Sequence, residues 1–464
     1  MSRASAIALV TLLWAAIYLP GLGSTEIKGE EPRRIMPGVE MLASGDWLVP
    51  HLHGEPYLRK PPLVNWAIAA SIKIFGARNE WTARLPSVLA VLALVLTTVV
   101  SVGKWRDYET GIIAAVIMMT NLGLLEKGRL AEIEAIYISL SGMAIVCWLT
   151  KWSLRQSPWR TWLVPAVFLG LGLLAKAPLH LLYFYAVVIP VLWRARELRA
   201  LIRAPHIAGV AVMLAIFAAW AGPYFLATRH LHAADVWASQ MEERMGGGEF
   251  HVGSWLANLP RSLANFLPWL FFVPLWWSEK TLVKLDVNEA LIIRAARWPV
   301  VLCFFGLLLI PGMLPRYTLP MLAPAGILLA LALRARFEKR ALTWGLGAGI
   351  LAGAAMCLYA ILIVPRVNAA ADLRPLGDKI NAAVPPGEPL YIYNPGLAPV
   401  MFYLHPNCVY AREVRDLPEE NAVVFTREEG AKKLRKTWSD PRALGDFTDK
   451  NKNRFFVLQL RGKL

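Results

Sequence analysis

Apolar runs long enough to cross a bilayer recur along most of this chain, and a sequence built that way does not close around one water-exposed core. A spanning helix needs about 17–25 mostly apolar residues. Such runs fall near 4–22, 83–103, 109–126, 133–150, 161–175, 177–193, 206–227, 263–277, 298–314, 317–333 and 341–365. They predict a polytopic helical bundle of about eleven spans. Only 18% of the residues are charged and 56% are hydrophobic, whereas soluble domains carry about a quarter charged residues. The 19 Trp suit a membrane protein, whose two interfaces favour indole rings.

The formal net charge is +16. In a soluble chain that excess would suggest nucleic acid; here it gathers in short connections between apolar runs, so topology explains it and no nucleic-acid partner is implied. Cys147, Cys303 and Cys357 lie inside apolar runs and Cys408 stands alone, with neither a disulfide framework nor a zinc motif. Met-Ser-Arg precedes the first run and no small-x-small cleavage site follows it, so the run reads as a retained helix.

With the N-terminus in the cytoplasm, the even connections are Lys104–Tyr108, Lys151–Arg160, Arg194–His206, Ser278–Arg297 and Arg334–Arg340, each with at least two Lys or Arg. The opposite connections are very short or are the longer loops 24–82 and 228–262, where the charge rule weakens. An odd number of spans then sends the tail outside. From about Val367 that tail is charged, with Pro385-Pro386-Gly387 and Asn394-Pro395-Gly396 turns and β-like runs at Pro389–Tyr393, Ala422–Thr426 and Arg454–Leu460. It predicts a small α/β domain over 366–464, beside a membrane domain over 1–365.

The polar residues that matter fall on the external side. Loop 24–82 contains Glu30-Glu31-Pro32-Arg33-Arg34, and its apolar spacing predicts interfacial helices near Ile35–Leu42 and Trp66–Phe75. Arg129, Glu132 and Glu134 open the fourth span, Lys176 sits between the fifth and sixth, and Arg316-Tyr317 opens the tenth. Any one Lys or Arg at a span end reads first as a snorkelling anchor, and Glu132 or Glu134 as a helix N-terminal acid. Gathered on one face, they read instead as walls of a charged pocket.

Met41-Leu42-Ala43-Ser44-Gly45-Asp46-Trp47-Leu48-Val49-Pro50, followed by His51 to Pro62 with its Lys60-Pro61-Pro62, resembles the first external loop of family-39-type glycosyltransferases of the GT-C fold. That group includes the lipid A aminoarabinose transferases, the protein O-mannosyltransferases and related bacterial sugar transferases. Glu80-Trp81-Thr82-Ala83-Arg84-Leu85-Pro86-Ser87, Arg129-Leu130-Ala131-Glu132-Ile133-Glu134, Leu174-Ala175-Lys176-Ala177-Pro178 and Pro315-Arg316-Tyr317-Thr318-Leu319-Pro320 fit the same order. The resemblance covers roughly residues 1–335 and leaves the tail out. Where the family has Asp-Glu-x-Arg-Tyr, this chain has Glu30 for the Asp and Arg34 for the Tyr. The acid that often precedes Lys-Pro-Pro, which helps hold a divalent ion in some relatives, is Arg59 here.

The resemblance implies transfer of a sugar from a polyprenyl-phosphate donor to a lipid, glycan or protein acceptor on the periplasmic face of the bacterial inner membrane, by a monomer. Glu30 or Glu31 is implied as the base or acceptor-orienting acid, with Glu134 the second carboxylate. Lys60, Arg129, Lys176 and Arg316 are candidates for the donor phosphate, Arg being suited to two-pronged contacts. Tyr57, Arg33, Arg59, Glu132 and Tyr317 are candidates for the rest of the substrates. The resemblance fixes no cofactor; a divalent cation stays open, with the lone loop residue His251 a weak ligand candidate. One carboxylate in a single displacement predicts inversion at the anomeric carbon.

A transporter or flippase would also carry charges at membrane depth, but the chain shows no internal repeat. An O-antigen ligase or polymerase would place its main external loop late rather than after the first span, and a scaffold needs no such gathering of charges.

Overall fold

The computed structural model describes residues 1–176, 178–243, 252–396, 398–405, 407–419, 421–449 and 452–462. The described helices are α1 (Arg3–Tyr18), α2 (Pro32–Ser44), α3 (Leu63–Phe75), α4 (Glu80–Trp105), α5 (Tyr108–Met119), α6 (Leu122–Lys127), α7 (Ile133–Ser153), α8 (Pro158–Ala175), α9 (Leu179–Arg194), α10 (Ala204–Ala227), α11 (Ala233–Glu242), α12 (Val252–Ala264), α13 (Glu279–Leu282), α14 (Val287–Leu308), α15 (Leu322–Phe337), α16 (Lys339–Leu358), α17 (Val364–Ala371), α18 (Arg374–Ala383) and α19 (Glu428–Thr437). The chain divides into two compact units. One holds Met1–Pro20, Leu58–Val64 and Arg84–Tyr359; the other holds Gly21–Tyr57, Asn65–Ala83 and Ala360–Leu464.

The first unit is the membrane bundle. Among the described residues seven helices are long and apolar enough to cross a bilayer: Glu80–Trp105, Ile133–Ser153, Pro158–Ala175, Ala204–Ala227, Val287–Leu308, Pro315–Phe337 and Lys339–Val367. Shorter apolar helices, α1, α5 and α9, complete it. α7 is apolar all round and wholly buried, as a central helix must be, whereas the Lys339–Val367 helix is only 17% buried and faces outward. Caps fix several starts: Ser2 accepts from the Ser5 N–H, Asp107 from Thr110, and Asp286 and Glu289 form a capping box.

Two expected spans differ. The run 109–126 breaks at Asn121 into α5 and α6. The run 263–277 is no spanning helix: it ends α12 and continues as a short 3-10 helix, Trp269–Trp277. Pro268 and Pro274 each remove a backbone donor there, so composition met the length criterion while the backbone could not.

In the second unit α2 and α3 occupy the positions of the two expected interfacial helices, joined through a small hairpin of β1 (His51–Leu52) and β2 (Glu55–Pro56). Its sheet has the order β4-β3-β5-β7-β6. β3 (Leu390–Tyr393) lies parallel to β4 (Cys408–Ala411) and to β5 (Ala422–Arg427). β7 (Arg454–Leu460) lies antiparallel to β5 and to β6 (Arg442–Thr448). The apolar face of α19, through Ala431 and Leu434, closes one core with Val424, Trp438, Phe456 and Leu458.

Candidate active site

In the bundle, α7 begins where α8 ends. Glu134 lies in the first turn of α7, Lys176 is the C-cap of α8, and each charge complements its helix dipole. Lys176 Nζ donates to Glu134 Oε1 at 2.9 Å, and both side chains are only 7% exposed. Arg316, from the 3-10 turn Pro315–Met321, brings its Nε to 3.5 Å from the same oxygen. The Lys176 ammonium also lies over the rings of Tyr317, 4.4 Å from its centroid, and Tyr137, at 5.5 Å. Tyr183 Oη donates to the Tyr317 carbonyl, fixing that turn from α9.

Arg316 lines a cavity of about 470 Å³ together with Glu126, Lys127, Arg261, Asn265 and Leu314, a size in the usual range for small-molecule sites. Lys127 pairs with Glu132 at 3.2 Å and with Glu126 at 3.1 Å. Burial pushes the Glu132 carboxyl above its ordinary range, while Lys127 pulls it back. Sequence reasoning did not find Arg261 or Asn265, since neither carries a local motif.

Arg129 lies apart in role. Its guanidinium donates to the carbonyls of Ile17 at 2.9 Å, Tyr18 at 2.8 Å and Pro20, so it closes the C-terminal end of α1. Lys60 donates to Gln240 Oε1 at 3.0 Å, and Trp237 donates to the Leu58 carbonyl, tying the Lys-Pro-Pro segment to α11. Arg59 is exposed.

In the second unit, Glu30 and Glu31 differ sharply. Glu31 is fully buried; its Oε2 accepts from the Lys28 N–H at 3.0 Å, and its carbonyl accepts from Arg34 and Ile35 as α2 starts. Glu30 keeps a third of its side chain exposed. Arg33 Nη1 reaches both its oxygens, at 3.2 and 3.3 Å, and Arg34 Nη2 lies 3.6 Å away. Arg34 also donates to Tyr57 Oη at 2.8 Å, so the residue that replaces the family's Tyr links Glu30 to Tyr57.

A second buried group shapes the same loop. Glu40 accepts from the backbone N–H groups of His53 at 2.7 Å and Gly54 at 3.0 Å, and bonds Tyr410. Burial raises the Glu40 carboxyl and lowers the His53 imidazole to about 4. His53 stacks on Tyr410 with ring centroids 6.0 Å apart.

Among the described residues no three His, Cys, Asp or Glu side chains gather as metal ligands. His251 lies outside the described residues.

The chain superposes on a crystal structure of ArnT from Cupriavidus metallidurans bound to undecaprenyl phosphate with a TM-score of 0.76 and 18% identity, over 99% of this chain and 98% of that one. The apo form of that protein gives 0.70, also at 18% identity, over 98% and 97%. The family model described as dolichyl-phosphate-mannose-protein mannosyltransferase matches residues 59–222. An undecaprenyl phosphate-alpha-4-amino-4-deoxy-L-arabinose arabinosyl transferase of Pseudomonas fluorescens is 27% identical over 73% of this chain. One from Pseudomonas aeruginosa is 28% identical over 73%. The chain spans 62% and 61% of those two relatives' own length. These comparisons agree with the resemblance seen in the external loop.

Proposed function

We propose that this chain is a membrane glycosyltransferase that moves a sugar from a polyprenyl-phosphate carrier of the undecaprenyl type to a lipid, glycan or protein acceptor at the periplasmic face of the bacterial inner membrane. It works as a monomer with its N-terminus cytoplasmic, a catalytic part over 1–365 and a periplasmic α/β part over 366–464. The observation that carries the reading is the buried Glu134–Lys176 pair with Arg316 beside it, an arginine that lines a ligand-sized cavity.

The acceptor oxygen attacks the anomeric carbon, the bond from that carbon to the phosphate oxygen breaks, and the phosphate departs with the electron pair. Cations must receive that charge. Arg316 and Lys176 are assigned to it, with Lys60 from the Lys-Pro-Pro segment. Glu134 holds the two bundle cations in place, because one of its oxygens faces both. The proton of the acceptor goes to Glu30, which is reachable from solvent; Glu31, fully buried, shapes the turn. Arg129 is assigned to the end of α1 rather than to the phosphate. Tyr57 and Tyr317 are assigned to the sugar, and Arg33, Arg59 and Glu132 to positions around the substrates. A single displacement inverts the anomeric carbon.

The test is a panel of radiolabelled undecaprenyl-phosphate sugars given to purified protein with lipid and protein acceptors. The reading expects one carrier to be consumed and label to appear on an acceptor, the transferred sugar joined through an anomeric linkage opposite to that in the carrier. Solute flux into proteoliposomes, with every carrier left intact, would favour a transporter.

A further inference from the structure

The backbone that carries Glu30 lies in turns, outside any helix or strand. Between Gly21 and Glu31 the turn bonds include Ser24 N–H to the Gly21 carbonyl, Glu31 N–H to the Lys28 carbonyl and Lys28 N–H to Glu31 Oε2. Yet Ile27 is fully buried and Glu26 nearly so, and buried main-chain groups need partners. Two side chains from the C-terminal part bond this main chain, one of them to Ile27 itself. Arg374 donates through Nη2 to the carbonyls of Gly23 at 3.1 Å and Ser24 at 3.2 Å. Tyr403 Oη accepts the Ile27 N–H at 3.0 Å.

Glu80, in the first turn of α4, couples them. Its Oε1 accepts from Arg374 Nε at 2.8 Å and from Tyr403 Oη at 2.9 Å. Tyr403 is itself fixed in the 3-10 turn Pro399–Tyr403. Arg78 donates to the carbonyls of Met401 at 2.9 Å and Leu404 at 3.2 Å, and Asn381 donates to that of Tyr403 at 2.9 Å. Met401, Phe402 and Leu404 are buried around it. The held segment ends three residues before Glu30, too few to lose the register.

We propose that Arg374 and Tyr403 are positioning residues for the turn that carries Glu30, and that the C-terminal part serves the reaction as a template for this loop. The proposal deepens the transferase reading and rests on it for its kinetic consequence. An acid misplaced by about an ångström loses on the order of 100-fold in rate while substrate binding elsewhere is kept. Lys at 374 keeps the charge without a planar fork that reaches Glu80 and two carbonyls, and Phe at 403 keeps the ring without the hydroxyl.

The test uses the full-length protein in nanodiscs: wild type, Arg374→Lys, Tyr403→Phe and, as a destabilised control, Val424→Ala in the sheet core. Two quantities are read, hydrogen exchange over residues 22–31 and steady-state transfer. Both positioning variants are expected to speed exchange in that segment about tenfold or more, with strands β3 to β7 unchanged. Their kcat falls roughly 10- to 100-fold while the KM for the carrier stays within about twofold. Val424→Ala is expected to lower Tm and leave kcat near wild type. Unchanged exchange over 22–31 in both variants overturns the proposal whether or not a carrier has been found. So does an equal loss of kcat in Val424→Ala at a matched drop in Tm. Wild type that consumes no carrier sinks the transferase reading instead, and the exchange data still decide the positioning.

Discussion

The ammonium of Lys176 stands 2.9 Å from Oε1 of Glu134, joining the C-terminal end of α8 to the N-terminal turn of α7, with both side chains buried. A pair so enclosed is costly to break: losing Glu134 leaves the Lys176 ammonium buried without its carboxylate, and losing Lys176 leaves Glu134 the longer Arg316 contact.

Lys176→Met is therefore expected to destabilise the bundle by about 3–5 kcal/mol, and Glu134→Gln by a comparable amount. The double variant, which removes both charges, is expected to recover much of that loss in thermal unfolding but none of the transfer activity. Additive losses in the double variant would mean the two groups do not act as a pair.

Arg316 faces Glu134 and lines the cavity. Arg316→Lys keeps the charge and loses the flat, two-pronged donor that phosphate favours. The expected outcome is at least a tenfold loss in kcat/KM for the carrier, about 1.4 kcal/mol, with Tm within a few degrees of wild type. Unchanged kinetics would remove Arg316 from the phosphate.

Burial holds His53 neutral, with its titration lowered to about 4 from an ordinary 6.5. Between those two values the unfolded chain binds the extra proton, so the fold loses stability as pH falls through that window. The slope is at most about 1.4 kcal/mol per pH unit. Glu40, raised by burial, works in the opposite sense as pH rises above the usual carboxylate range. His53→Asn, which tolerates the positive φ of 58° there, is expected to flatten the fall in Tm between about pH 6.5 and 4.

Gly54 has φ +77°, and an added Cβ would lie 2.6 Å from that of Tyr410. Gly54→Ala is expected to cost about 1–3 kcal/mol and to loosen the Glu40 clamp. Thermal unfolding measures the loss, and faster exchange at His53 and Gly54 measures the loosening.

The bundle was legible because spanning length and apolar composition are local: α4, α7, α8 and α10 lie where the runs predict them. The 263–277 run misled because apolar composition ignores its prolines. In the tail, β3, β5 and β7 carried apolar runs and were found. β4 and β6, the more exposed edge strands, were not. Glu134, Lys176 and Arg316 met as their shared side suggested. Arg129 donates to the carbonyls that end α1, a backbone contact that no local pattern in the sequence announces. The Arg374–Glu80 contact joins residues 294 apart, a separation no periodicity encodes.

The most direct test of the central claim compares wild type with Glu30→Gln, Glu31→Gln and Glu134→Gln in single-turnover transfer from the carrier that wild type consumes, each variant first checked for intact folding. The account predicts that Glu30→Gln binds the carrier normally and loses at least 100-fold in the transfer step, the upper part of what a positioned base contributes, while Glu31→Gln acts mainly by lowering stability. Full transfer by a folded Glu30→Gln protein would contradict it.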